Sequence, residues 1–166
     1  GTTTVNREGL PGEGPSLPSM AAFVSVCTLQ ADEPMASFIF SGALERNPNL
    51  QVTLAECDVG WIPYLLERMD YLFEDNHFKW KELITTKPSD LFRRQLHATF
   101  ERDSIGPRLA AEFCPDSFLW GNDYPHTNDA TWPNSRAAIQ RCLGGVDDEM
   151  RRKLVHDNAA KLYNIA

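Results

Sequence analysis

The chain has 166 residues, 42% of them hydrophobic, enough for one globular domain with a single sizeable core. Sixteen Lys and Arg stand against 23 Asp and Glu, and the formal charge of −7 argues against an electrostatic grip on nucleic acid or on an anionic membrane. No apolar run approaches the roughly 20 residues of a membrane span, and Cys27, Cys57, Cys114 and Cys142, far apart and without a CxxC pair, read as reduced thiols of a cytoplasmic protein.

The chain opens on "GTTTVNREGLPGEGPSLPS", with no initiator methionine, signal-peptide pattern or hydrophobic periodicity. Gly and Pro recur at 9, 11, 12, 14, 15 and 18, which predicts loop over residues 1–20. So long a loop at the start of a domain implies that something precedes it, so the sequence reads as a fragment whose targeting signals lie elsewhere. "DEPMASFIFSGALERN" then reads as a helix, with Asp32 as N-cap, Pro34 in the first turn and Asn47 before Pro48 as its end. "LQVTLAE" (50–56) is short, apolar and β-branched, the pattern of a buried strand. In "VGWIPYLLERMDYLFED", Ile62, Leu66, Met69 and Phe73, and also Trp61, Leu65, Met69 and Leu72, recur at helical spacing, with Asp58 as the expected N-cap. A short helix (88–94) runs into a second strand, "QLHATF" (95–100). Helix 106–113 leads to a third strand, "SFLWG" (117–121). The remainder reads as helix: "NSRAAIQRCL", stopped at Gly144-Gly145, then "DDEMRRKLVHDNAAKLY".

Alternating strands and helices predict a parallel sheet with helical crossovers, helices on one face and the strands side by side. A closed (β/α)8 barrel needs eight strands, typically over about 250 residues. Three strands supply at most the closing part of such a barrel, or a small sheet of their own. In both architectures the site forms at the C-terminal ends of the strands. Those ends carry Glu56, then Thr99 to Glu101, then Asn122, Asp123 and His126. On residue chemistry alone Asp123 is equally a metal ligand or a turn aspartate helped by Asn122 and Pro125.

Four stretches, "LAECDVGWIPYLLERMD", "KPSDLFRRQLHATFE", "FLWGNDYPHTNDATWPNS" and "DNAAKLY", together resemble the closing segment of the amidohydrolase-related family, in the branch that includes aminocarboxymuconate-semialdehyde decarboxylase. The resemblance runs from about residue 34 to the C-terminus. It implies an α/β fold: strands six to eight of a metal-dependent (β/α)8 TIM barrel. Residues 1–33 would be the loop or extended segment after strand five, and 34–166 the closing βα units of one domain. It also implies that Asp123 is a metal ligand and proton shuttle, the catalytic residue of this segment. A divalent metal is implied, zinc in first place, with manganese and iron as alternatives.

Glu56 stands where decarboxylase members often have a histidine that works on the substrate. Hydrolysis of a small carboxylic acid or cyclic or aromatic substrate by metal-activated water is therefore the expected reaction, with decarboxylation as the alternative. Glu56 and His126 are the candidate substrate-binding residues. The competing roles are an ion-paired or helix-capping carboxylate for Glu56 and a loop histidine bonded to backbone for His126. His97, in alternation with Gln95 and Thr99, reads as a core or hydrogen-bonding residue. His77 and His156 read as surface or helix-end residues, Trp61 and Trp132 as packing residues, and Asn158 and Tyr163 as docking the last helix.

Catalytic zinc takes three protein ligands and leaves a position open. The resemblance implies that the other ligands are a His-x-His pair at strand one and a histidine at strand five, and the chain has no HxH or HExxH. Asp123, alone or with His126, is not a zinc site of useful affinity. The implied partners are a small-molecule substrate and the missing N-terminal half of the barrel, with room for a homodimer and no role for nucleic acid or membrane. The alternative from another class is a non-catalytic α/β module whose sheet edge pairs with another chain.

Overall fold

The computed structural model describes residues 16–75, 79–126 and 132–165. Its centre is a three-stranded parallel sheet in the order β1 (Val52–Leu54), β2 (Leu96–Phe100), β3 (Phe118–Trp120). Val52 lies opposite Leu96 and Leu54 opposite Ala98. Ala98 in turn pairs with Phe118, and Phe100 with Trp120. The parallel pairing expected of all three strands is therefore present, each strand one or two residues shorter at its ends than its sequence pattern.

The period of two divides the strands into faces. Leu54, Leu96, Ala98, Phe100 and Phe118 belong to one core with Met35 and Ile39 of α2 (Asp32–Phe40), Leu44 of α3 (Ala43–Arg46), and Ile62, Leu66, Met69 and Phe73 of α4 (Ile62–Asp75). Leu91 and Phe92 of α5 (Pro88–Gln95) and Ala110 of α6 (Gly106–Phe113) complete that layer. Phe92 and Phe118 meet edge-on with ring centroids 6.2 Å apart. The buried stripe of α4 is one of the two sets expected from its spacing. Trp61, also expected to pack, rests against the core and donates its indole N–H to the Cys57 carbonyl at 2.8 Å.

The opposite face carries Thr53, His97, Thr99 and Leu119. His97 Nε2 lies 2.9 Å from Gln51 Oε1, the hydrogen-bonding duty expected of it. Burial, and secondarily the charge of Lys161, holds the imidazole below its usual pKa. The expectation of helices on one face only does not hold throughout. The Tyr163 hydroxyl, at the end of α9 (Asn158–Tyr163), lies 3.4 Å from Thr53 Oγ1 and so brings that helix to the Thr53–His97 side.

Three further expectations are corrected. The loop expected over residues 1–33 is helical from residue 17 onward: α1 spans Leu17–Val26 and a 3-10 turn covers Cys27–Ala31. Ser16 accepts the Ser19 amide and Pro18 sits in the first turn, so a residue read as a loop marker is a helix starter. Second, the helix expected from Asp32 to Asn47 is broken. Gly42 adopts φ +70°, and a Cβ there would lie 3.1 Å from the Leu83 carbonyl, so the chain turns where only glycine fits. Asp32 is the first residue of α2 rather than its cap. Third, Asp58 does not cap α4: its carboxylate accepts the Glu101 amide at 3.3 Å. His77 lies outside the described residues.

No loop separates α5 from β2. Gln95 ends the helix, is fully buried, and directs its amide nitrogen to the carbonyls of Leu44, Asn47 and Leu50 at 2.8–3.1 Å, fixing the turn that leads into β1. After β3, α7 (Ser135–Leu143) and α8 (Asp148–Arg152) lead through a π-helical turn, Lys153–Asp157, into α9. Buried Asn158 donates to the carbonyls of Pro115 and Phe118 at 3.0 and 2.9 Å, docking the last helix on the start of β3 as expected. Asn158→Ala leaves both carbonyls unpaired and is expected to cost about 2–3 kcal/mol in urea unfolding. His156 is surface-exposed beside Asp157, as expected. Among the described residues no helix is long and apolar enough to cross a membrane.

Candidate functional site

Parallel pairing brings the C-terminal ends of all three strands to one edge, and the acidic side chains that follow them gather there. Glu56 and Asp58 follow β1, Glu101 and Asp103 follow β2, and Asp123 follows β3. The expectation that Glu56 and Asp123 open on the same end is met.

Each strand end turns sharply to present its side chains. Glu56, Asp58 and Asp123 have φ of 55°, 47° and 55°, the left-handed region that non-glycine residues seldom occupy. The Glu56 amide donates to Thr99 Oγ1 at 2.7 Å, tying the end of β1 to β2 while its carboxylate remains exposed. Beyond β3, Asn122 Nδ2 reaches Ser135 Oγ at 3.3 Å, and Asn122 Oδ1 accepts the Tyr124 amide at 3.2 Å. Asn122 thereby fastens the Asp123 turn to the start of α7. The turn closes with the His126 amide donating to the Asp123 carbonyl at 2.8 Å.

His126 also places Nδ1 2.8 Å from Asp123 Oδ1. The imidazole is exposed, whereas the Asp123 side chain is only 15% exposed. The hydrogen bond to Asp123, then that carboxylate's charge, raise the His126 pKa above its usual value, and Glu56 and Glu101 add to the effect. Of the three sequence-selected residues, Asp123 and His126 thus form a direct pair, and Glu56 joins them through its field.

Glu101 is the residue that sequence reasoning passed over. Burial, then the charges of Asp123, Asp58 and Glu56, push its carboxyl up to about 7. Its own amide is held by Asp58, and its carbonyl accepts from Trp120 Nε1 at 3.2 Å and Cys142 Sγ at 3.4 Å. The available signal was positional: Glu101 follows β2 directly, as Asp123 follows the β3 segment.

Tyr124 and Trp132 stand edge to face at the same rim, centroids 5.1 Å apart, and both are exposed. Trp132, expected to pack, packs in this way against a neighbour and not in the core. Both Tyr124–Pro125 and Trp132–Pro133 are cis.

A divalent metal is tested by the donors present. Among the described residues no three His, Cys, Asp or Glu side chains are grouped to hold one. Asp123 fits as a single oxygen ligand, partly buried at a strand end, with His126 already engaged on Oδ1. This chain therefore fits part of a metal site.

A family model described as amidohydrolase matches residues 24–165. No curated protein matches the chain. Among solved structures, the fold resembles an amidohydrolase from Mycobacterium avium subsp. paratuberculosis K-10, with TM-score 0.71 and 23% identity over 88% of this chain and 36% of that one. It also resembles 5-carboxyvanillate decarboxylase from Sphingomonas paucimobilis, with TM-score 0.67 and 22% identity over 84% of this chain and 41% of that one. A dihydroxybenzoic acid decarboxylase from Polaromonas sp. JS666, with bound manganese and the inhibitor 2-nitroresorcinol, matches at TM-score 0.58 and 16% identity over 92% of this chain and 48% of that one. The chain spans less than half the length of each of these structures.

Proposed function

The chain belongs to the amidohydrolase family, and from that premise we propose that it supplies strands six to eight of a metal-dependent (β/α)8 barrel that decarboxylates a small aromatic or cyclic carboxylic acid. The observation that carries this is the convergence of Glu56, Glu101 and the Asp123–His126 pair at the C-terminal edge of three parallel strands. Decarboxylation is favoured over hydrolysis because two of the similar structures are decarboxylases of hydroxylated benzoates. Glu56, standing where decarboxylase members often carry a histidine, favours hydrolysis and keeps it as the second reading.

In this proposal Asp123 is one metal ligand, and the remaining ligands come from the part of the barrel that precedes these strands. The metal, zinc or manganese, would supply positive charge to hold the substrate's oxygens. The residues of this chain handle the proton. As the bond between the ring carbon and the carboxylate breaks and carbon dioxide leaves, the ring carbon must take a proton. His126, its pKa raised by the Asp123 carboxylate whose Oδ1 lies 2.8 Å from Nδ1, is placed to supply it. Glu101, whose carboxyl burial and the neighbouring carboxylates push up to about 7 in the metal-free chain, is a second group placed to carry a proton. Tyr124 and Trp132 offer aromatic surface to a planar ring.

The partner in this proposal is the rest of the barrel, or a second copy of the chain. The outer edges of β1 and β3 have no further strand beside them among the described residues, and α1 turns Leu17, Met20 and Val24 to solvent. The test is manganese-dependent release of carbon dioxide from 2,6-dihydroxybenzoate or 5-carboxyvanillate by the assembled protein, lost on chelation. Turnover of esters or lactones with no carbon dioxide from either acid would establish the hydrolytic reading instead.

A further inference from the structure

Two carboxylates join the loops after β1 and β2, and they point in opposite directions. Asp58, from the first loop, accepts the Glu101 amide of the second at 3.3 Å. Asp103, from the second, accepts the Val59 amide of the first at 3.0 Å and the adjacent Gly60 amide through the same Oδ2. The other oxygen of Asp103 accepts the Ile105 and Gly106 amides of its own loop at 2.8 and 2.9 Å. One carboxylate therefore organises four backbone donors, which lie just ahead of α4 and around the start of α6.

The backbone is shaped around this group. A Cβ on Gly106 would lie 2.6 Å from Asp103 Oδ2 and 2.8 Å from the Gly60 nitrogen, and one on Gly60 would lie 3.0 Å from Asp103 Oδ2. Both close approaches need glycine.

We propose that Asp103 is a positioning residue: by clasping the β1 and β2 loops together it fixes where Glu56, Asp58 and Glu101 present their carboxylates. The functional meaning of those carboxylates rests on the reading given under Proposed function; the clasp itself does not. With Asp103 in place, the left-handed turn from Glu56 to Asp58 is closed at both ends, by Thr99 at Glu56 and by Asp103 at Val59 and Gly60. Without it, four amides lose their acceptor, and the Glu56–Thr99 and Asp58–Glu101 bonds that still bridge the loops are loosened.

Amide hydrogen exchange on the metal-free, substrate-free protein, alone or in its assembly, tests this with Asp103→Ala, Asp103→Asn and Gly106→Ala. Asp103 touches neither the Glu56 nor the Glu101 amide, so a purely local role leaves both unchanged. The expected result is that both exchange about tenfold faster or more in Asp103→Ala and Gly106→Ala, with Asp103→Asn intermediate because it keeps one carbonyl oxygen. The Ala98 amide, bonded to the Ser117 carbonyl within the sheet, keeps its wild-type rate. Asp70→Ala, which removes the acceptor of the Ser89 amide on the outer helices, leaves Glu56 and Glu101 protected. Wild-type rates at Glu56 and Glu101 in Asp103→Asn and Gly106→Ala overturn the proposal, as does uniform acceleration that includes Ala98. Absence of manganese-dependent decarboxylation in the wild type would defeat the proposed reaction and leave this result standing.

Discussion

Asp123→Ala in the assembled enzyme is expected to lower turnover about a thousandfold or more and to reduce bound metal, because the proposed function makes that side chain a metal ligand and the hydrogen-bond partner of the proton-bearing His126. The same change removes the hydrogen bond that raises the His126 pKa, so the imidazole should titrate closer to its ordinary value. Glu56→Gln is expected to lower turnover while leaving bound metal largely unchanged, since the Glu56 side chain is exposed and the residue is tied to β2 through its backbone amide. Kinetics, elemental analysis and the imidazole proton shifts in NMR read these outcomes separately. Normal metal in the Asp123 variant together with metal loss in the Glu56 variant would reverse the assignment.

Glu101→Gln is expected to stabilise the metal-free protein at neutral and alkaline pH and to flatten its dependence on pH. The Glu101 carboxyl sits at about 7 when folded, against the ordinary glutamate value of 4.5 in the unfolded chain. Between those values the folded state holds a proton that the unfolded state has released, so wild-type stability falls as pH rises from below 4.5 through about 7. Above that range the full penalty applies. Because the group is only partly buried, solvent screening reduces the effect to about 1–2 kcal/mol at pH 8. Below pH 4, where Glu101 is neutral in both states, variant and wild type should coincide. Urea unfolding at a series of pH values tests this, and parallel curves across the whole range would show that the field at the strand ends does not act on Glu101.

The frame was legible because it depends on local chemistry. "VTL", "LHATF" and "FLW" alternate or cluster apolar residues as buried parallel strands do, and the stripe of Ile62, Leu66, Met69 and Phe73 could face only inward. The position of Asp123 just beyond a strand end was legible from "FLWGND" itself. The misreadings arose where a residue's partner is distant in sequence. Asp58 looks like a cap for the helix that follows it, yet the amide it accepts belongs to Glu101, more than forty residues away. The capping role near α4 falls to Asp103, which no pattern around residue 60 could disclose. Gly42 gave no local warning either, because the contact that requires glycine comes from Leu83. Glu101 is a case of the same kind: a strand-end glutamate becomes unusual only when the carboxylates after two other strands arrive beside it.

The left-handed turns at Glu56, Asp58 and Asp123 set durability against chemistry. Each non-glycine residue in that region costs roughly 1 kcal/mol relative to glycine, and here all three are acids at the C-terminal edge of the sheet. A laboratory selection that rewarded heat resistance alone would favour glycine at these positions and would erase the carboxylates as it did so. Screens that couple survival to turnover would retain them. The three positions therefore serve as an internal gauge of selection: how readily a variant library converts them to glycine reports whether the strand ends were under functional pressure.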